Sequence, residues 1–302
     1  MRVVITGGTG LIGRALTRSL ADDGHEVVVV SRAPERARDL PEGVSTTAWD
    51  AQSGKALAAA LEGADAVVHL AGENIASGRW TAAKKRRIRD SRVDSSRAVA
   101  EAFERAQERP GVLVQASAVG YYGPRGEETI TEESGPGSDY LARVSVEWES
   151  ASAAVEKLAV RRPVVRTGVV LSPEGGALAK MLPPFRLFVG GPVGSGRQWF
   201  PWIHLADEVG AIRFLLEQEG ADGPYHLTAP EPVTTREFSR ALGKVLGRPS
   251  ALPAPALGLR LALGEMAEIL LEGQRALPSR LLEEGYRFRF AEAEGALRDL
   301  LG

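Results

Sequence analysis

Three glycines at the start of the chain, Gly7, Gly10 and Gly13, follow the apolar run Val3-Val4-Ile5-Thr6 and open a helical pattern. Each answers a physical need. The first permits a tight turn, the second lets backbone N–H groups approach a pyrophosphate, and the third lets helix and strand pack closely. Thr9, Leu11 and Ile12 complete the turn, and the phosphates are expected at the positive end of the helix. After a second apolar strand come Ser31 and Arg32, where an NAD site would carry Asp or Glu for the ribose 2′-hydroxyl. A guanidinium pairs with a 2′-phosphate, whereas an acid repels it, so NADP(H) is the cofactor expected here. Asp50, ending a third strand, is placed to accept from an adenine amino group, and Leu70-Ala71-Gly72, ending a fourth, let a ribose lie against the sheet edge. His69 inside that strand reads as a packed residue.

These positions need a scaffold. The first 170 or so residues alternate short apolar β-branched runs (3–5, 26–30, 44–49, 66–71, 112–116 and 164–170) with helical patterns (11–22, 51–61, 82–107 and 141–158). Runs apolar on both faces indicate a buried parallel sheet, so the expected fold is α/β, a doubly wound Rossmann-type sheet with a smaller C-terminal domain. Residues 1–171 form the cofactor domain, to which 206–246 return; 172–205 and 247–302 form the substrate side. Gly and Pro crowd 172–196, which reads as loop-rich. Thr234 with Glu237 has the spacing of a capping box. Beyond the Pro-rich stretch 249–255, an amphipathic run from Leu257 to Leu271 begins the C-terminal piece.

Of 302 residues, 44% are hydrophobic and 25% charged, which excludes disorder and a fibrous class. With 37 basic against 39 acidic residues the net charge is −2, and no field draws the chain to nucleic acid or anionic lipid. Residues 79–97 hold eight Lys/Arg against two Asp, read as a solvated helix face rather than a nucleic-acid patch. There is no cysteine, which removes disulfides, thiolate metal sites and a cysteine nucleophile. No metal site is read. No secretory leader or membrane span is legible, and a cytoplasmic location is expected.

The sequence resembles the extended short-chain dehydrogenase/reductases, and within them the atypical NAD(P)-binding, sugar-nucleotide epimerase-family proteins. The resemblance is carried by TGGTGLIG (6–13), VSR (30–32), HLAGEN (69–74), DSR (90–92), SAVGYYG (117–123), RTGVVLSPEGGAL (166–178), GGPVGSGRQWFPWIH (190–204) and LLEGQRALPSRLLEEGYRF (270–288). The last of these is similar to that family's C-terminal domain of unknown function. The resemblance implies NADP(H) contacts at Ser31, Arg32, Leu70, Ala71, Arg92 and Val170 besides the glycine loop.

The catalytic chemistry thins out. Such enzymes usually hold a Tyr-x-x-x-Lys pair, in which lysine and nicotinamide lower the tyrosine pKa so that phenolate moves the substrate proton. None of the six lysines here lies four residues after a tyrosine, and the matching positions carry Asp139 and Arg143. Tyr140 is one residue off, rotated by ~100° on a helix. Ala118 falls at the epimerase Ser/Thr position, with Ser117 beside it. Ser117 and Tyr121 are the catalytic candidates; Tyr121 and Tyr122 can also clamp the nicotinamide, and Asp139 with Arg143 reads as a surface ion pair. Trp199 to His204 is either a pocket wall or domain packing, and no carboxylate partner for His204 is identifiable. Two functions follow: an NADP(H)-dependent reductase or epimerase acting on a small organic or nucleotide-linked substrate, or a non-enzymatic NADP(H)-binding regulator.

Overall fold

A computed structural model describes residues 1–37 and 40–302. Seven strands, β1 (Arg2–Thr6), β2 (Glu26–Ser31), β3 (Ser45–Ala48), β4 (Ala66–His69), β5 (Val112–Ala118), β6 (Pro163–Thr167) and β7 (Gly223–Leu227), form one parallel sheet. Their order is β7-β6-β5-β4-β1-β2-β3. The chain therefore winds outward from β1 in one direction and from β4 in the other. The crevice at their carboxyl ends is where such sheets bind ligands.

The apolar runs form central strands because both faces are covered. Val3, Val4 and Ile5 are wholly buried, each stabilising the fold by roughly 1.5–3 kcal/mol. One face meets α1 (Leu11–Asp22) and α6 (Leu205–Glu217), with Leu16, Leu20, Ile212 and Leu215 in one cluster. The other meets α2 (Gly54–Leu61) and α3 (Ala82–Arg105), with Leu57, Leu61, Val99 and Phe103. Side chains cap most of these helices: Ser53 accepts from Ala56 N, Thr81 from Lys84 N, and Asp139 starts α4 (Tyr140–Ala151) by accepting from Ala142 N. At α1 the N-cap is Gly10, and among the described residues no side chain caps it.

Several expectations are corrected. The run 164–170 is two strands, because the chain turns at Gly168, where a Cβ would stand 2.2 Å from the carbonyl oxygen of Pro201. Residues 169–172 then leave the main sheet and pair with 202–204. The loop-rich segment contains helix α5 (Gly176–Arg186), with Pro183 and Pro184 in its last turn. The helix then ends, and Phe188 has a φ of 63°. Residues 223–227 pair with β6 at the sheet edge, and α7 (Thr235–Leu246) packs with α5 and the helix Ala293–Leu301 in a separate cluster holding Leu178, Phe238, Leu242 and Leu297. The capping box Thr234/Glu237 is present. The amphipathic run 257–271 breaks at Gly264 (φ 62°), and its first part, Ala256–Leu263, buries no residue. Among the described residues no helix is long and apolar enough to cross a membrane.

The first turn of α6 holds Asp207 and Glu208, acids at the positive helix end. Asp207 accepts from the backbone N–H groups of Arg289 and Phe290 at 2.7 and 3.0 Å, tying the C-terminal segment down. Glu208 is fully buried; Thr167 Oγ1 donates to its Oε1 at 2.8 Å, and its Oε2 has no partner among the described residues. Burial pushes its carboxyl from 4.5 up to about 8. Between those values the folded chain keeps a proton that the unfolded chain releases, so stability falls as pH rises through that window. Melting curves from pH ~5 to ~8.5 are expected to show this decline, and Glu208→Gln to remove much of it. Parallel curves for the two proteins overturn the assignment.

Candidate functional site

Two adjoining cavities open at the carboxyl ends of β1 and β4 and share Gly7, Gly10 and Leu70. The larger, of about 410 Å³, is walled by Thr9, Ser31, Arg32, Asp50, Ala71 and Gly72. The smaller, of about 260 Å³, is walled by Leu11, Ile12, Gly13, Val170, Gly176 and Ala177. One continuous cleft thus brings together every position expected to touch the cofactor except Arg92.

The glycine turn forms the joint between the cavities. A Cβ on Gly7 (φ +73) would lie 2.7 Å from the Leu70 carbonyl carbon, and one on Gly13 would lie 2.3 Å from the Gly7 oxygen. Backbone alone fits, and with no side chain capping α1 its first N–H groups are left for an anion. The cradle fits a dinucleotide pyrophosphate. Asp50 faces the larger cavity, but one of its oxygens already accepts from Gln52 N at 2.8 Å and Ser53 N at 2.9 Å. Those bonds hold its carboxyl below the usual range.

Arg92 lies beneath the cleft floor. Its Nη1 donates to the Glu73 and Ile88 carbonyls at 3.0 and 3.1 Å, and its guanidinium sits over the Trp148 ring. A Cβ on Gly72 would come within 3.3 Å of Arg92 Cζ. The residue supports the Gly72 backbone from below. Burial lowers its pKa to about 10, leaving it charged at neutral pH. His69 is buried between Thr6 Oγ1 at 2.6 Å and the hydroxyls of Ser95 and Ser96, and burial lowers its pKa to about 3.

Under the loop after β5 lies a polar network that the sequence did not reveal. Arg166 makes a two-pronged pair with Glu149, both contacts at 2.9 Å, and donates to Tyr122 Oη at 2.6 Å. Tyr122 contacts His226 Nε2 at 2.5 Å, and His226 Nδ1 lies 2.7 Å from the Leu277 carbonyl. Burial raises the Tyr122 phenol, the effect of Arg166 notwithstanding, and pushes His226 down to about 4. Ser117 donates to Glu149 Oε1 at 2.6 Å. The Arg166 guanidinium lies 3.6 Å from the centre of the Tyr121 ring. Neither Ser117 nor Tyr121 lines the two cavities.

The surface pair expected of Asp139 and Arg143 is corrected: Asp139 caps α4, and Arg143 donates to the Ser138 carbonyl. Tyr140 donates to the Lys85 carbonyl at 2.7 Å. Within the aromatic run, Trp202 is buried and Phe200 packs on Phe238, while Trp199 donates to Glu127 at 3.0 Å. His204 does have a carboxylate neighbour, Asp299, at 3.3 Å, though not aligned for a hydrogen bond; its Nδ1 accepts from Ala206 N at the start of α6. The expected solvated face of α3 is corrected in two ways. Lys84 is buried, donating to Glu73 at 2.7 Å and Ser77 at 2.6 Å. Arg87, Asp90, Ser91 and Asp94 line the larger cavity. Their spacing of three, four and seven is a helical stripe that was legible within the basic run.

Comparisons with known proteins agree with this geometry. Residues 3–227 match the NAD dependent epimerase/dehydratase family, and residues 254–300 match a domain of unknown function, DUF1731. Epimerase family protein Mb2239 of Mycobacterium bovis is 42% identical over 95% of this chain and 93% of its own. Epimerase family protein YfhF of Bacillus subtilis is 38% identical over 100% of this chain and 98% of its own. The crystal structure of human epimerase family protein SDR39U1 (isoform 2) with NADPH superposes with a TM-score of 0.90 at 38% identity, covering 99% of both chains. A glycine cradle at a parallel-sheet switch point, followed by this C-terminal segment, places the chain in the NAD dependent epimerase/dehydratase family, among its epimerase family proteins of the short-chain dehydrogenase/reductase type.

Proposed function

We propose that the protein is an NADP(H)-dependent oxidoreductase of epimerase-like type, acting on a small organic or nucleotide-linked substrate held between the sheet edge and the C-terminal segment. The observation that carries the cofactor reading is Arg32, exposed at the end of β2 on the rim of the larger cavity with Ser31 beside it. The NADPH bound by the human relative supports it. In this reading the larger cavity takes the adenosine end, and the apolar smaller one, with Leu11, Ile12 and Val170, takes the nicotinamide. The cofactor when bound supplies a hydride at the nicotinamide ring. This chain supplies the rest: the uncapped α1 terminus holds the pyrophosphate, and Val170 sets the depth of the ring.

Tyr121 is the proposed proton donor. It lies in the short helical turn Val119–Tyr122 that follows β5, at the carboxyl edge, and is only half-buried, whereas Tyr122 is wholly enclosed. Ser117, with its hydroxyl committed to Glu149, acts as a positioning residue through Arg166. A second reading, cofactor binding without turnover, is favoured by one observation: among the described residues, no phenol lines either cavity.

Arg32→Asp is expected to weaken NADPH by about tenfold or more while NADH holds or tightens, since a charged hydrogen bond is exchanged for repulsion. Unchanged NADPH affinity by calorimetry contradicts the assignment. NADPH oxidation measured with aldehydes, quinones and sugar nucleotides is expected to exceed background with at least one class. Tyr121→Phe is then expected to lower that rate by about 10²-fold or more with NADPH binding intact. Background rates throughout favour the binding-only reading, and full activity in Tyr121→Phe removes Tyr121 as donor.

A further inference from the structure

We propose that Arg87 is a second cation for the adenosine 2′-phosphate, closing on it from α3 while Arg32 closes from β2. This rests on the NADP(H) reading above and extends it to a residue that neither the glycine motif nor the family resemblance singles out.

The argument begins with the stripe of α3 that faces the larger cavity. Of its four residues, three are engaged elsewhere. Asp90 holds Arg89 at 3.0 Å, Asp94 holds Arg97 at 3.2 Å, and Ser91 accepts from Glu73 N at 3.0 Å while donating to the Ile88 carbonyl at 3.1 Å. Arg87 is not so engaged. Among the described residues its only carboxylate neighbour, Glu73 Oε1, stands 3.8 Å from its Nε, beyond hydrogen-bond reach, and its side chain is 61% exposed.

The same Glu73 oxygen is already claimed. Lys84, 4% exposed, donates to it at 2.7 Å. A buried ammonium must be paired, so Lys84 holds that carboxylate and Arg87 keeps its donors for something else. Arg32 acts by charge on Glu73 as well, so both guanidiniums lie within electrostatic reach of one point on the cleft rim.

A ribose 2′-phosphate at that rim meets four acids on the cavity wall, Asp50, Glu73, Asp90 and Asp94, against Arg32 and Arg87. It carries about two negative charges and three acceptor oxygens. One guanidinium fork pairs with two of those oxygens. The third oxygen and the second charge call for another cation, and among the described residues Arg87 is the one on this wall with free donors besides Arg32.

The test is calorimetry on the full chain with Arg32 intact, titrating NADPH, NADH, 2′,5′-ADP and 5′-AMP into wild type, Arg87→Gln and Arg87→Lys. Arg87→Gln is expected to weaken NADPH and 2′,5′-ADP by about tenfold, as for loss of one charged hydrogen bond. NADH and 5′-AMP are expected to stay within about twofold, and Arg87→Lys to fall between, keeping charge without the fork. Equal weakening of all four ligands means that Arg87 stacks on adenine instead and overturns the proposal. So does no weakening at all. If Arg32→Asp abolishes the NADPH preference while Arg87→Gln leaves it whole, this inference fails and the cofactor reading stands.

Discussion

From β1 into the first turn of α1 the backbone leaves no space for a side chain at Gly7, Gly8 or Gly13, and the site is built on that close approach. At Gly7 the obstacle is the Leu70 carbonyl; at Gly13 it is the turn itself. One consequence is electrostatic. Helices α2, α3, α4 and α7 each begin with a side chain accepting from the first turn, and α1 does not. Uncapped N–H groups at a helix start need an outside acceptor. The turn that excludes side chains is thus also the one that leaves donors for a phosphate.

A cleft walled by four carboxylates looks hostile to an anion. The local bonding explains why it need not be. Asp50 is engaged by two backbone N–H groups, Glu73 by Lys84, and Asp90 and Asp94 by arginines on the same helix. Lys84 is the decisive member, because its burial obliges it to stay on Glu73.

What was legible in the sequence follows from how local its cause is. The glycine loop, the apolar strands and the box Thr234/Glu237 depend on neighbours within a few residues, so spacing alone displays them. The break at Gly168 depends on Pro201, and the pairing of Arg166 with Glu149 on how β6 and α4 meet across the sheet. Neither has a local signature. Asp299 reaches His204 from the last helix, 95 positions along the chain, and no window of sequence joins them. The stripe on α3 is a different case. Its period is visible, but the density of charge in the basic run is also that of a solvated face.

The same nonlocal contacts shape the loop that carries Tyr121. Its carbonyl accepts from Gly137 N at 2.9 Å, its ring meets Tyr122 edge-on at 5.1 Å, and the Arg166 guanidinium lies over the ring at 3.6 Å. Tyr122 in turn reaches the C-terminal segment through His226 and Leu277. Removing one partner of a buried ion pair such as Arg166–Glu149 costs about 3–5 kcal/mol. A loop fixed from that many directions is ordered by the protein itself. At the two positions that match the Tyr-x-x-x-Lys pair, Asp139 caps α4 and Arg143 donates to the Ser138 carbonyl, while Arg166 supplies the cross-link from below. In the proposed function this edge faces the substrate, and a loop already ordered leaves little ordering entropy for binding to overcome.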